Sequence, residues 1–260
     1  MSSPGFAPDW LALREPADAA ARATDLVDQV LKIIVNRTPL VIRDLGCGTG
    51  SMGRWLAGRL DRPQRWVLHD SDPRLLALAA DRVAGPDVTV RTEEGDVTAL
   101  RAADLDGTAL VTASALLDLF TADEVRGLAE ACVGAGVPAL LTLSVAGRIE
   151  FDPAEELDRE FEAAFNAHQR RTVDGRALLG PDAATVTAEA FTALGATVTT
   201  RPSPWRLGSS DALTREWLQG WVGAAVEQEP GLAAEADAYL NRRLDARVTV
   251  HHTDLLAVPL

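Results

Sequence analysis

With 260 residues the chain is long enough to bury the core of one large α/β domain, with or without a cap, and short for two independent domains. Its 38 acidic residues outnumber the 25 basic ones, giving a net charge of −13, so the surface repels phosphate backbones and anionic membranes; neither nucleic acid nor membrane is an expected partner. Two cysteines, Cys47 and Cys132, exclude a disulfide scaffold, and Met1 to Trp10 shows neither a basic start nor an apolar run, so a reduced, cytoplasmic chain without a leader is expected.

From Asp9 to Val35 apolar residues recur at helical spacing, interrupted at Pro16, which predicts one or two helices ahead of the first strand. Leu40 to Leu45 is β-branched and apolar and runs straight into a glycine cluster, the pattern of a buried parallel strand meeting its turn. Ser51 to Leu60 reads as the crossover helix, Trp66 to Asp70 as a second strand, Pro73 to Val83 as a helix and Val88 to Thr92 as a third strand. Ala109 to Ser114 follows as a fourth strand. Thr121 to Val133 is a helix whose Thr121 and Glu124 have capping-box spacing, and Pro138 to Val145 is a fifth strand.

The rhythm then breaks. Phe151 to Arg171 predicts a long amphipathic helix in the position of a lid, followed by a helix over Pro181 to Leu194 and a short strand over Thr197 to Thr200. Two more helices, Asp211 to Glu227 and Leu232 to Leu244, lead to a closing strand at Arg247 to His252 or slightly beyond. Strands alternating with helices imply right-handed crossovers and a mostly parallel, doubly wound sheet.

The chemistry is concentrated in Asp44-Leu45-Gly46-Cys47-Gly48-Thr49-Gly50. Glycines after a strand let the backbone approach a ligand, and the helix that follows offers free N–H groups. The carboxylate of Asp44 on the floor of the turn suits the α-amino group of a methionine moiety and repels a pyrophosphate. Asp70, at the end of the second strand, is placed to accept both hydroxyls of an adenosine ribose. Past the third strand, Asp96 can accept from an adenine amine while Val97 donates its backbone N–H. Three acids at successive strand ends line the edge of the sheet where open α/β folds bind ligands.

These features closely resemble the class I, Rossmann-like S-adenosylmethionine-dependent methyltransferase family from about Leu40 to Val145. The resemblance implies S-adenosyl-L-methionine as cofactor, with S-adenosyl-L-homocysteine as product, held by Asp44, Gly46, Cys47, Gly48, Gly50, Asp70, Ser71, Asp96, Val97 and Ser114. It also implies a seven-stranded sheet with its last strand antiparallel and helices on both faces. The expected organisation is one domain over 1–260: N-terminal helices in 1–38, a cofactor-binding half in 39–146, a helical lid in 147–181, and a second half in 182–260 with a helical insertion at 209–246.

Because the donor in such a transfer is already activated, the protein mainly aligns the reactants, and a base is needed only if the acceptor must lose a proton. His168, among polar residues near the end of the lid helix, and Asp118, after the fourth strand, are the candidate catalytic residues. Leu117, Arg148, Arg170 and Arg171 are candidate acceptor contacts, which leans toward a small polar or anionic metabolite. No metal is expected, and a monomer and a homodimer are equally compatible. Two rivals stay in view: a catalytically silent cofactor-binding regulator, and an NAD(P)-dependent oxidoreductase, since Gly48 to Gly53 also satisfies Gly-x-Gly-x-x-Gly.

Overall fold

The computed structural model describes residues 7–260; the stretch read above for a leader lies mostly outside them. Two helices, α1 (Pro8–Ala21) and α2 (Thr24–Ile34), precede the sheet. Pro16 does not end a helix but sits within α1, and the break falls instead at Arg22 and Ala23, which are extended. Then come β1 (Leu40–Leu45), α3 (Ser51–Ala57), β2 (Gln64–Asp70), α4 (Pro73–Val83), β3 (Val88–Glu94) and β4 (Leu110–Ser114). In α5 (Ala122–Gly134) both capping-box bonds form between Thr121 and Glu124.

β5 runs from Ala139 to Asp152, seven residues past its expected end at Val145. α6 (Asp158–Gln169) follows, then a small hairpin of β6 (Thr172–Val173) and β7 (Arg176–Ala177), and α7 (Ala183–Ala193). β8 (Thr197–Pro202), β9 (Trp205–Leu207), α8 (Ala212–Gln228), α9 (Ala233–Arg243) and β10 (Arg247–Val258) complete the chain.

The main sheet has the order β3-β2-β1-β4-β5-β10-β8, parallel through β5, with β10 antiparallel to both its neighbours. That is the expected seven-stranded doubly wound sheet, and β9 adds to it by pairing with the first residues of β10. Alternation along the strands feeds two cores. Ile42, Leu68, Leu110, Leu140 and Leu256 face α2, α3 and α4, while Val111, Ala113, Leu141 and Leu255 face α5 and α7.

The overlong ends of β5 and β10 carry a third core. Phe151, Val248 and Val250, with Trp205 and Leu207 of β9, pack against Phe161 of α6, Trp217 and Trp221 of α8 and Tyr239 of α9. Phe161 stacks on Tyr239 at 4.1 Å and Trp217 on Trp221 at 5.5 Å. The expected lid is therefore one wall of a packed cap, built from two chain segments with strands as well as helices.

Candidate active site

The turn after β1 takes the shape its glycines permit. At Gly50, φ is +85° and a Cβ would come within 2.6 Å of Val83; at Gly46, φ is +59° and a Cβ would come within 2.8 Å of Leu116. The turn is tied to the end of β2: Cys47 N–H donates to the carbonyl of His69 at 3.1 Å, and Gly48 N–H to Asp70 Oδ2 at 2.8 Å. Asp70 Oδ1 accepts from Asp72 N–H at 3.0 Å. Asp70 thus holds the glycine turn in place while still facing the cavity, a second task the sequence did not suggest.

Above this edge lies a cavity of about 570 Å³, within the range of small-molecule sites. Asp44, Gly46, Cys47, Gly48, Asp70, Ser71, Asp96, Val97 and Ser114 all line it, so the structure brings together residues read as cofactor contacts from four separate strand ends. Gly50 lies behind the wall, against α4. Burial drives the Cys47 thiol well above its ordinary pKa, helped by the carboxylates of Asp44 and Asp70, so it is a packing residue and not a nucleophile. Asp96 caps the turn that follows it, accepting from Thr98 N–H at 2.9 Å.

Asp44 is 1% exposed. Its Oδ1 accepts from Thr112 Oγ1 at 2.7 Å, and its Oδ2 has no partner. Burial pushes its pKa up to about 7, against the Thr112 hydrogen bond and the charge of Arg22. An unpartnered carboxylate oxygen on a residue that lines a cavity is a place for a donor, and a cationic one would return the group to full ionisation. A pyrophosphate there would meet the carboxylate.

The roof is α1, and it supplies the residue that sequence reasoning missed. Arg22, 3% exposed, donates through Nη2 to Ser51 Oγ at 3.2 Å and Ser114 Oγ at 3.1 Å, while its Nε and Nη1 have no partner. Burial lowers its pKa, opposed by the charges of Asp18, Asp44 and Asp254. Arg22 makes no ion pair among the described residues, which leaves a buried guanidinium open to an anion. An arginine at the end of an alanine-rich helix gave no hint of this, because burial by a distant strand end is invisible in local spacing.

The cavity is also lined by Leu11 and Leu116, which lie against the glycine turn, and by Leu119, Arg14 and Asp18. Arg14 donates to Asp18 at 3.0 and 3.2 Å and lies 5.0 Å over the Trp205 ring, whose Nε1 donates to the same carboxylate at 3.0 Å.

The other expected contacts fall elsewhere. Leu117 is 2% exposed and sits in the α5–α7 core; the tight turn at Leu117–Leu119 presents Leu116 and Leu119 instead. His168 is not on the cavity wall: its Nε2 lies 3.3 Å from Glu227 of α8. Arg148 pairs with Glu150 on the extension of β5, Arg170 with Asp182 at 2.6 Å, and Arg171 with the His168 carbonyl at 3.0 Å. These three arginines spend their charge on the surface, which removes the basis for an anionic acceptor. Asp118, one residue before Leu119, is half-buried with no side-chain partner among the described residues. Burial raises its pKa, against a hydrogen bond from its own backbone and the charges of Arg14 and Arg171.

The sheet order is that of the Rossmann-like methyltransferase fold. Residues 42–135 match the family profile described as a methyltransferase domain. Among solved structures, YcgJ protein from Bacillus subtilis is similar at 13% identity, with 91% of this chain and 99% of that one covered and a TM-score of 0.53. A protein described with the conversion of a disulfide bond into a thioacetal group during echinomycin biosynthesis has 16% identity, coverages of 93% and 83%, and a TM-score of 0.51. A putative methyltransferase from Bacillus halodurans has 12%, 92%, 100% and 0.50 for the same measures. At such identities the likeness is one of fold. No curated protein matches the sequence. Among the described residues no helix is long and apolar enough to cross a membrane.

Proposed function

We propose that this chain transfers the methyl group of S-adenosylmethionine to a small molecule bound in the same cavity beside Leu11, Leu116 and Leu119, in the cytoplasm. The observation that carries this reading is a pair of buried charges lining one cavity: Asp44, whose Oδ2 has no partner, and Arg22, whose Nε and Nη1 have none, and an α-amino acid moiety has an ammonium for the first and a carboxylate for the second. In this assignment Asp70 accepts from the ribose, Asp96 from the adenine amine, and Val97 N–H donates to the ring. When bound, the cofactor supplies an electrophilic methyl group on a sulfonium.

The protein's own work is alignment and exclusion of water. The roof of α1 is held down by Glu15, paired with Arg54, by Trp55 Nε1 donating to the Ala19 carbonyl at 3.1 Å, and by Arg22 itself. The lining leucines favour an acceptor with an apolar body, and the Arg14–Asp18 pair offers its polar part both a donor and an acceptor. Where that acceptor must lose a proton, Asp118 is the base we assign, since it stands directly before the cavity-lining Leu119 and burial raises its pKa; His168 lies against Glu227 instead.

A crystal structure with S-adenosylhomocysteine tests the assignment. The homocysteine carboxylate is expected within hydrogen-bond distance of Arg22 and its ammonium at Asp44; a ligand bound with those ends elsewhere would overturn it.

A further inference from the structure

β10 carries an oddity at its centre. Asp254, 0% exposed, is a carboxylate directly ahead of the buried apolar run Leu255–Ala257. Replacing such a buried charge by an apolar residue is often neutral or stabilising, so its presence calls for a reason.

Its two oxygens reach two parts of the chain that are far apart in sequence. Oδ1 accepts the N–H of Leu143 at 2.8 Å, and Oδ2 accepts the N–H of Ala23 at 2.8 Å. Leu143 lies where the β10–β5 register shifts, between Thr253 and Leu255, and its backbone is left-handed with φ +57°. No strand partner serves its N–H there, and the side chain of Asp254 fills that place. Ala23 is the extended residue between α1 and α2, and no side chain caps α2 at that point. One carboxylate therefore closes a bulge in the sheet and pins the junction of the two N-terminal helices onto it.

The residue next to Ala23 is Arg22. Its guanidinium reaches Ser114, which pairs in the sheet with Thr142, the neighbour of Leu143. The tether is thus one residue from Arg22 along the chain and one residue from the partner of Ser114 across the sheet. A swing of the α1–α2 junction away from the sheet would carry Arg22 out of the cavity.

We propose that Asp254 is a positioning residue for the cofactor: by anchoring Ala23 to the sheet at Leu143, it fixes the Arg22 guanidinium where the amino-acid carboxylate is held. The inference rests on the assignment of Arg22 above. It predicts an effect confined to the amino-acid end of the ligand, since Asp70 and Asp96 stand on other strand ends.

The test compares binding of S-adenosylhomocysteine with that of 5′-methylthioadenosine, which lacks the amino-acid tail. In Asp254→Asn, one of the two N–H groups faces an amide NH2 instead of an acceptor, and affinity for S-adenosylhomocysteine is expected to fall about tenfold while that for 5′-methylthioadenosine changes less than about twofold. Ala23→Pro is the second variant, needed if Asp254→Asn fails to fold. It removes only the donated N–H, at a residue whose φ of −72° suits proline and which follows an extended residue, and the same one-sided loss is expected. Equal losses for both ligands, or none for either, would overturn the proposal. Arg22→Ala separates the two levels. If that variant keeps full affinity for S-adenosylhomocysteine, the assignment of Arg22 fails; if it loses affinity and the Asp254 and Ala23 variants do not, only the positioning role fails.

Discussion

Two buried arginines show what distinguishes the cap from the cofactor half. Arg243, 5% exposed in the cap, donates to Glu155 at 2.9 Å and to the Pro153 carbonyl at 2.8 Å, with Asp158 at 3.6 Å. Asp158 in turn accepts from Tyr239 at 2.7 Å. Arg22, equally buried, has two hydroxyls on one nitrogen and nothing on the other two. One guanidinium sits among carboxylates with only its Nε unpartnered; the other has no ion pair among the described residues and two nitrogens unpartnered. A buried charge inside its own ion-pair network is architecture, and one left open on a cavity marks where binding happens.

The sharpest way to break the comparison is to delete each arginine. Arg243→Ala leaves Glu155 with Arg242 alone and Asp158 with Tyr239 alone as side-chain partners, and is expected to cost about 3 kcal/mol in denaturant unfolding while cofactor affinity stays within a factor of about two. Arg22→Ala is expected to do the reverse, leaving stability unchanged or higher and weakening S-adenosylhomocysteine binding on the order of a hundredfold. Equal effects of the two on stability would erase the distinction.

Asp44 sharpens it further. Its folded pKa of about 7 lies above its unfolded value, so its contribution to stability is complete below the unfolded pKa and is lost as pH rises through about 7. Asp44→Asn, which keeps an acceptor for Thr112, is therefore expected to unfold at a higher temperature than the parent at pH 8 without ligand, by on the order of 3 kcal/mol, and to lose that advantage at pH 4. An Asn variant less stable than the parent at pH 8 would mean that Asp44 is already paired. The smallest effect is expected at His168: His168→Ala should alter kcat for any acceptor by less than about threefold, because the ring faces Glu227.

The contrast also follows what was legible in the sequence. The strand–turn–helix around Asp44, the acids at Asp70 and Asp96 and the Thr121–Glu124 capping box depend on local spacing, and β1 and α4 lie where their patterns put them. The cap depends on pairings across more than ninety residues. Val145, Gly147, Ile149 and Phe151 do alternate with Ala146, Arg148, Glu150 and Asp152, a strand signal that extends β5, but the amphipathic run behind it drew the reading toward a helix. Arg148 and Arg170 looked free in the sequence because Glu150 and Asp182 are matched to them only by folding. Arg22 was silent for the same reason: its burial comes from Ser114, ninety-two residues away, and from Asp254 beyond that.

The most direct test of the central claim is calorimetric titration of the purified chain with S-adenosylmethionine and, separately, with NAD, on the parent and on Asp44→Ala. Micromolar binding of S-adenosylmethionine that the substitution abolishes, with no heat from NAD, is the predicted result. Binding of NAD in its place, or S-adenosylmethionine binding that survives the loss of Asp44, would contradict the account.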